Sequence, residues 1–420
     1  MNSSQIFTLA FCATLLLNLL IKIWLTTRQN RCVFAHRDQV PTDFADSISL
    51  EAHQKAADYT LAKSQIGFWE LMLDTLLLMS WTLLGGLSAL NQAINLFIPS
   101  SMSMTQEICL IVAFMLINGL FHLPLSLIQT FQLEEKFGFN KMTLSLWVSD
   151  LLKGLLVGAV LGLPILWLIL KLMSAGGANW WAIAWISLVV YQLFVMWIAP
   201  NLIMPLFNKF APLEDETLKA KVTDLMTRVG LSAKGFFVMD GSRRSAHSNA
   251  FFTGMGSNKR VVFFDTLLQQ LSLEEMEAVL AHELGHFKLK HIPKLMITSF
   301  LMSLVGLWAL GYLSGQAWFY TGLGVAPSLS GSNDALALLL FMEVVPLVSF
   351  LFSPLSSARS RKFEFEADAF AKIHANAASL KSALLKLYQD NSSTLTPDPI
   401  YVKFYHSHPP ASQRLAKLES

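Results

Sequence analysis

Cysteine is scarce in this chain. The three present, Cys12, Cys32 and Cys109, are scattered, and two lie inside apolar runs. That excludes a disulfide framework and a thiolate metal site, so any metal must be held by histidine or carboxylate. Charge is scarce too. Asp, Glu, Lys and Arg make up 14% of the 420 residues, against about 25% in a soluble globular protein. The net charge of +2 shows no basic surplus that would argue for nucleic acid. Repeats and low-complexity segments are absent. What fills the chain is apolar: 53% of it is hydrophobic. The composition describes a membrane protein with a polar domain attached. The amino terminus lacks the marks of a cleaved signal. Met1 to Gln5 carries no cation, the run Ile6–Leu25 is longer than a signal core, and no small-x-small site closes it. It reads as an uncleaved membrane helix.

Seven apolar runs approach or reach spanning length: Ile6–Leu25, Ile66–Leu90, Ile108–Ile128, Leu151–Leu172, Trp180–Ile198, Leu295–Leu313 and Leu336–Phe352. The connections between them alternate in charge. Arg28, Arg31, Arg37, Lys55 and Lys63 follow the first run, and Lys136 and Lys141 follow the third. The segment after the fifth is rich in cations, and Arg359, Arg361 and Lys362 follow the seventh. The segments 91–107, 173–179 and 314–334 hold no Lys or Arg. The positive-inside rule then sets the amino terminus outside and the carboxyl terminus in the cytoplasm. Ionisable groups inside the runs, Glu70, Asp74, His122 and Glu343, are expensive in lipid. Glu70, Asp74 and Glu343 are read as lining a cavity.

The chain divides into 1–198, five spans with their loops; 199–294, a first polar block; 295–352, two more spans; and 353–420, a second polar block. In the first block Leu213–Val229 reads as an amphipathic helix closed by Gly230. Phe236–Asp240 and Arg260–Phe264 read as strands, with Asn249–Gly254 extended between them. Arg361–Tyr388 reads as one or two helices. Both blocks fall on the same side of the membrane and can form one catalytic domain.

The stretch Ala281-His282-Glu283-Leu284-Gly285-His286 carries the chemistry. Ser272 and Glu275 form a capping-box pattern, and Met276, Val279, Leu280 and Leu284 give an apolar face. On that helix His282 and His286 share one side, fit to grip a zinc ion, with Glu283 beside them to handle a proton. Gly285 is unfavourable inside a helix, which points to another segment packed close. A catalytic zinc needs three protein ligands and an open position. A third histidine ten residues after His282 is excluded, because that position is Ile292; His291 lies off the spacing. The other solution is a glutamate from a later helix. Glu364 and Asp368, four apart, supply it: Glu364 as ligand and Asp368 to orient a ligand histidine. Glu366 then points elsewhere.

At this point the chain resembles the type I CAAX prenyl endopeptidases, seven-span integral-membrane zinc metalloproteases. The motifs are Leu133-Glu134-Glu135-Lys136-Phe137-Gly138-Phe139-Asn140, Asn249-Ala250-Phe251-Phe252-Thr253-Gly254, the His282 motif, the segment Ser360 to Asp368, and His406-Ser407-His408-Pro409-Pro410. Glu366 departs from the family pattern, where Gln is common, at a position that is not a ligand. The resemblance implies a mainly α, polytopic fold: seven helices around a water-filled chamber, capped by a zincin-like α+β protease domain. It implies one zinc per chain and cleavage near the carboxyl terminus of prenylated proteins, with capacity for other peptides. It also makes His408 and Asn249 candidate oxyanion donors. Asn249–Thr253 is further read as an edge strand for the substrate to pair with.

Two rivals remain at this level. The smaller membrane stress proteases share the zinc pattern but have fewer spans; their quality-control substrates stay open as an alternative. A transport or lipid-binding protein with an inert metal site is opposed by the intact set His282, Glu283, His286 and Glu364. The tail Lys417–Ser420 holds no ER-retention signal, which favours a bacterial inner membrane over the ER membrane.

Overall fold

A backbone in lipid must satisfy its own polar groups, which a helix does internally. In the computed structural model, which describes residues 1–231, 235–253, 260–328 and 331–419, all seven apolar runs accordingly fall mainly on helix, one of them across a break. The amino-terminal half holds α1 (Ser3–Ala35), α2 (Leu50–Trp81), α3 (Gly86–Phe97), α4 (Ser103–Ile128), α5 (Leu144–Ala175) and α6 (Trp180–Ile198). Side-chain caps start several of them: Asn2 with Gln5 at α1, Ser49 at α2 and Thr143 at α5. A π-helical turn over Gln129–Glu134 prolongs α4, and another over Ala199–Ile203 leads from α6 into the short α7 (Met204–Phe207).

The first polar block follows as β1 (Phe210–Pro212), α8 (Glu216–Arg228), β2 (Gly235–Met239), β3 (Ala250–Thr253), β4 (Arg260–Phe264), α9 (Asp265–Gln270) and α10 (Leu273–Lys288). Then come α11 (His291–Leu313), α12 (Ala317–Gly322) and α13 (Asp334–Phe350). The second block holds α14 (Ser353–His374), α15 (Ala377–Asp390), α16 (Pro399–Tyr405) and α17 (Ala411–Glu419). Among the described residues five helices are long and apolar enough to cross a membrane, and seven crossings result if the bent pairs α2–α3 and α13–α14 each count as one.

Those pairs mark where simple run-counting falls short. The run Ile66–Leu90 is not one helix: α2 stops at Trp81, and the chain turns through Gly85, at φ +80°, into α3 at a 57° bend. Leu83 and Leu84 keep the run apolar across the break, so hydropathy alone does not see it. The helix read as starting at Arg361 instead begins at Ser353, bent 63° from the end of α13. β1 contains Pro212, which hides it from a strand reading; it pairs only along one side, with β2.

Among the described residues the strands form one sheet in the order β1-β2-β4-β3. β2 and β4 run parallel, and β3 lies antiparallel to β4 with Ala250 opposite Phe263 and Thr253 opposite Arg260. β3 is therefore an edge, next to α10. One apolar core, including Phe11, Trp81, Leu110, Leu170, Leu310 and Leu340, ties the spanning helices together. A second, including Leu225, Val261, Phe263, Leu280, Ala281, Leu284 and Ala383, joins the two polar blocks into one unit. The outer face of α5 leaves Leu152, Leu156 and Val160 more than half exposed. A contiguous apolar surface of this kind suits lipid rather than water.

Candidate active site

The site forms where α10 crosses α14. Ser272 and Glu275 close the reciprocal cap of α10: the Ser272 amide donates to Glu275 Oε2 at 2.7 Å, and the Glu275 amide donates to Ser272 Oγ at 3.3 Å. Glu275 also accepts from Ser382 and Lys386 of α15, so the start of α10 is fixed to the second block. One turn from the metal-facing end, Gly285 meets α14. A Cβ there would stand 3.1 Å from Ala367 Cα and 3.3 Å from its carbonyl oxygen. Only glycine lets the two backbones approach so closely.

That approach brings three donors together. Glu364 Oε2 lies 3.4 Å from His282 Nε2, and Glu364 Oε1 lies 3.3 Å from His286 Nε2. The two imidazole Nε2 atoms are 3.2 Å apart. One ligand atom from each of the three residues falls within 4.8 Å of the others. Glu364 Oε2 is buried and accepts no hydrogen bond. A buried, orphaned carboxylate oxygen facing the His282 imidazole, with its sister oxygen facing His286, fits a cation. Two nitrogens and a carboxylate are a donor set that suits a divalent transition metal.

Around this triad sits a second layer. His282 Nδ1–H donates to Asp368 Oδ1 at 2.8 Å. Arg414, buried on α17, grips the same carboxylate twice, from Nε at 2.9 Å and Nη2 at 2.6 Å. Burial alone would raise the Asp368 pKa, but the bonds from His282 and Arg414 outweigh it and hold the group below its ordinary range. His286 turns its own Nδ1 toward His291 Nδ1, 3.0 Å away, and His291 Nε2 reaches Glu366 Oε2 at 2.9 Å. Sequence reasoning missed Arg414 and passed over His291 as off the ligand spacing. Neither lies at a distance along the chain that any helix or motif rule links to the triad.

The triad opens on a chamber of about 1060 Å³. Its wall runs from Lys22, Glu70 and Asp74 in the spanning helices to Asn249, Glu283, His408 and Arg414. Burial pushes the Glu283 carboxyl above the usual glutamate range. His408 Nε2 lies 3.4 Å from Glu364 Oε1. The His408 side chain is 64% exposed, yet burial lowers its pKa; a ring bare toward the chamber and enclosed by protein beyond it satisfies both. At pH 7 such an imidazole is neutral. Asn249, the residue before β3, is exposed and lines the same chamber. Gly254, the last residue of that motif, lies outside the described residues.

Glu70 and Asp74 line the chamber, and Asp74 pairs with His122 Nε2 at 2.8 Å. Glu343 is half-buried and is not among the residues lining this chamber, but it lies close enough to Asp74, which does line it, to feel that charge. It falls on the α13 stripe that holds Leu336, Leu339, Leu340 and Leu347, the face packed into the helical core. The Leu133–Asn140 motif has a place too. Tyr59 donates to Glu134 at 2.7 Å, Phe139 stacks on His247, and the Phe139 carbonyl accepts from the Ala246 amide. Arg244 holds Asp150 of α5 with two bonds. The motif thus clamps the segment that leads into β3.

A buried His-His-Glu cluster, a flanking glutamate with a raised pKa and a chamber partly walled by membrane helices define a membrane metalloendopeptidase. Residues 29–209 match the family described as CAAX prenyl protease N-terminal, five membrane helices, and residues 212–420 match peptidase family M48. The chain is 34% identical to CAAX prenyl protease 1 of Saccharomyces cerevisiae over 401 residues, covering 91% of this chain and 88% of the other. It is 35% identical to the CAAX prenyl protease 1 homolog of Oryza sativa, covering 96% and 95%. The crystal structure of S. mikatae Ste24p superposes with a TM-score of 0.91 at 32% identity, over 99% of each chain. The chain belongs to peptidase family M48, among the CAAX prenyl protease 1 homologues, and is a multi-pass membrane protein.

Proposed function

We propose that the chain is a zinc endopeptidase that trims the carboxyl-terminal peptides of CAAX-type prenylated proteins. The observation that carries this reading is the triad: two imidazole nitrogens and an unsatisfied carboxylate oxygen converging at the wall of a chamber partly built from spanning helices. His282, His286 and Glu364 would hold the ion, one per chain. A zinc ion there supplies Lewis acidity and makes a water molecule easier to deprotonate.

The remaining work belongs to the protein. The substrate peptide lies along the free edge of β3 and adds a strand to it. Glu283 takes a proton from the attacking water as its oxygen bonds to the scissile carbonyl carbon. The same carboxyl returns that proton to the leaving nitrogen as the C–N bond breaks. A carboxyl with a raised pKa suits both halves of this exchange. His408, through Nε2–H, and Asn249, through its amide, are assigned as donors to the oxygen that gains charge. Asp368 fixes the His282 tautomer, leaving Nε2 for the metal. The chamber shelters the peptide, and its spanning-helix wall borders the bilayer in which a prenyl chain is soluble.

The cation pattern of the loops supports an amino terminus outside and a cytoplasmic catalytic block, in a bacterial inner membrane, or the ER membrane in a eukaryote. Purified protein should hydrolyse a farnesylated carboxyl-terminal peptide near its end. Glu283→Gln should keep the metal and lose at least about 10²-fold in turnover. Near-normal turnover with verified metal would remove Glu283 from the mechanism. If the wild type cleaves unprenylated membrane-protein segments and leaves the farnesylated peptide intact, the quality-control reading replaces this one.

A further inference from the structure

The two metal-facing histidines are tethered differently. His282 has a carboxylate directly on its Nδ1. His286 has another histidine there. His291 Nδ1 stands 3.0 Å from His286 Nδ1, and His291 Nε2 stands 2.9 Å from Glu366 Oε2. The bonding pattern dictates the protons. A carboxylate accepts, so His291 Nε2 carries hydrogen. A neutral His291 then has a bare lone pair on Nδ1, and the hydrogen between the two rings must sit on His286 Nδ1. That leaves the His286 Nε2 lone pair pointing where Glu364 Oε1 and His282 Nε2 converge.

We infer that His291 and Glu366 are positioning residues: a two-link relay that fixes the tautomer and ring orientation of His286 and thereby sets how tightly the site keeps its metal. The inference deepens the zinc reading above and rests on it. Neither residue touches substrate or the reacting atoms.

Three independent features hold His291 for this task. Its ring is 1% exposed, and it stacks on Phe363 at 4.2 Å with the planes 6° apart. The backbone delivers it by an uncommon route: Lys290, between α10 and α11, sits in the left-handed region at φ +58°. A lysine there pays for a conformation that glycine or asparagine adopts freely. The strain has a purpose if it turns the chain from α10 into α11 with His291 under His286. Glu366 is half-buried and opens to a second cavity on the cytoplasmic block, rimmed by Arg361, Lys362 and Lys417. Lys362 Nζ lies 3.8 Å from its other oxygen.

α14 is the common template. Within six residues it supplies Phe363 under His291, Glu364 to the metal, Glu366 to His291, Ala367 against Gly285 and Asp368 to His282. Glu366, which the spacing argument set aside as pointing elsewhere, points at His291, which in turn backs the other ligand.

The test is metal retention, read without turnover. Full-length protein in detergent is stripped, reloaded, and titrated with zinc against a chromophoric chelator. Cobalt(II) absorption reports the ligand geometry. His291→Phe keeps the stack on Phe363 and removes both nitrogens. It should loosen zinc by about 10–100-fold and shift the cobalt bands. His291→Asn places an amide oxygen near the Nδ1 position and should recover most of the affinity. Glu366→Gln retains an acceptor and should stay near wild type, whereas Glu366→Leu should loosen zinc and shift the bands in the same direction as His291→Phe. Wild-type affinity and an unchanged cobalt spectrum in His291→Phe overturn the relay. If His291→Phe does not fold, the half-exposed Glu366→Leu decides alone, and wild-type affinity there overturns it. A wild type that binds no stoichiometric metal overturns the zinc reading itself, and the relay with it. Wild-type protein with normal zinc beside indifferent variants overturns the relay only.

Discussion

At the scale of residues, each assigned role separates from its neighbours by a different loss. Glu364 is buried with an orphaned oxygen, so Glu364→Ala or His286→Ala should lose the zinc, measured by metal content of purified protein. Full occupancy in Glu364→Ala would show a different third ligand. His408 is the harder case. It stands more than a hundred residues from His282 in the chain, but its Nε2 is 3.4 Å from Glu364 Oε1 and it faces the chamber. A donor that acts mainly in the transition state affects turnover more than binding. His408→Ala and His408→Phe should keep zinc, melting temperature and substrate affinity and turn over at least about 10²-fold more slowly. Early melting or metal loss with normal activity per zinc would make His408 structural. The pairs His282 with His286 and Glu364 with Asp368 were legible in the sequence because helix periodicity places i and i+4 on one face, and Glu283 came with the histidine motif. Arg414 and His291 were not, because their contacts, with Asp368 and Glu366, join helices that no periodicity relates.

At the scale of elements, the crossing of α10 and α14 decides whether the ligands meet. Gly285→Ala weighs two effects against each other. Alanine favours the helix by up to about 1 kcal/mol. Its methyl would press on the backbone of Ala367 at 3.1–3.3 Å, an overpacking cost of about 1–3 kcal/mol, and backbone yields less readily than a side chain. The clash wins. Gly285→Ala should lower the melting temperature and weaken zinc binding, because α14 moves outward and takes Glu364 with it. Unchanged stability and metal affinity would mean that the crossing has slack. Gly285 announced this contact in the sequence, since a glycine inside a capped helix asks for a packing reason. The breaks in the spanning helices did not announce themselves. Thr82 to Gly85 interrupts α2 and α3 inside an unbroken apolar run, and the turn there depends on one positive φ rather than on polarity.

At the scale of the whole molecule, the two polar blocks are one body attached to the spanning helices at several points. Arg28 of α1 binds Asp398 through two nitrogens, at 3.3 and 2.9 Å, and the Asp398 amide donates to Gln29. The first helix is thus pinned to the second block. In the orientation proposed from the cation pattern, that body faces the cytoplasm. A reporter fused after Ser420 should behave as cytoplasmic and one inserted near Ser330 as external, both sites lying outside the described residues. The opposite pattern would invert the topology. The division into spanning and polar segments was legible because lipid and water select composition differently. The chamber was legible only in part: Glu70 and Asp74 read as lining a cavity, but Lys63, Ser64 and Gly67 of the same α2 stripe look in sequence like a weak end of a span.

The three residues proposed to hold the metal have one more property in common: they do not come from one side of a continuous domain. His282 and His286 precede α11, Glu364 follows α13, and the intervening chain travels through the spanning helices and back. During synthesis the histidine pair therefore emerges well before its third partner. Until α11 and α13 are inserted and α14 folds back across Gly285, no cleavage centre exists. A half-made chain therefore lacks the residue proposed as third ligand, and the site is complete only when its own biogenesis is.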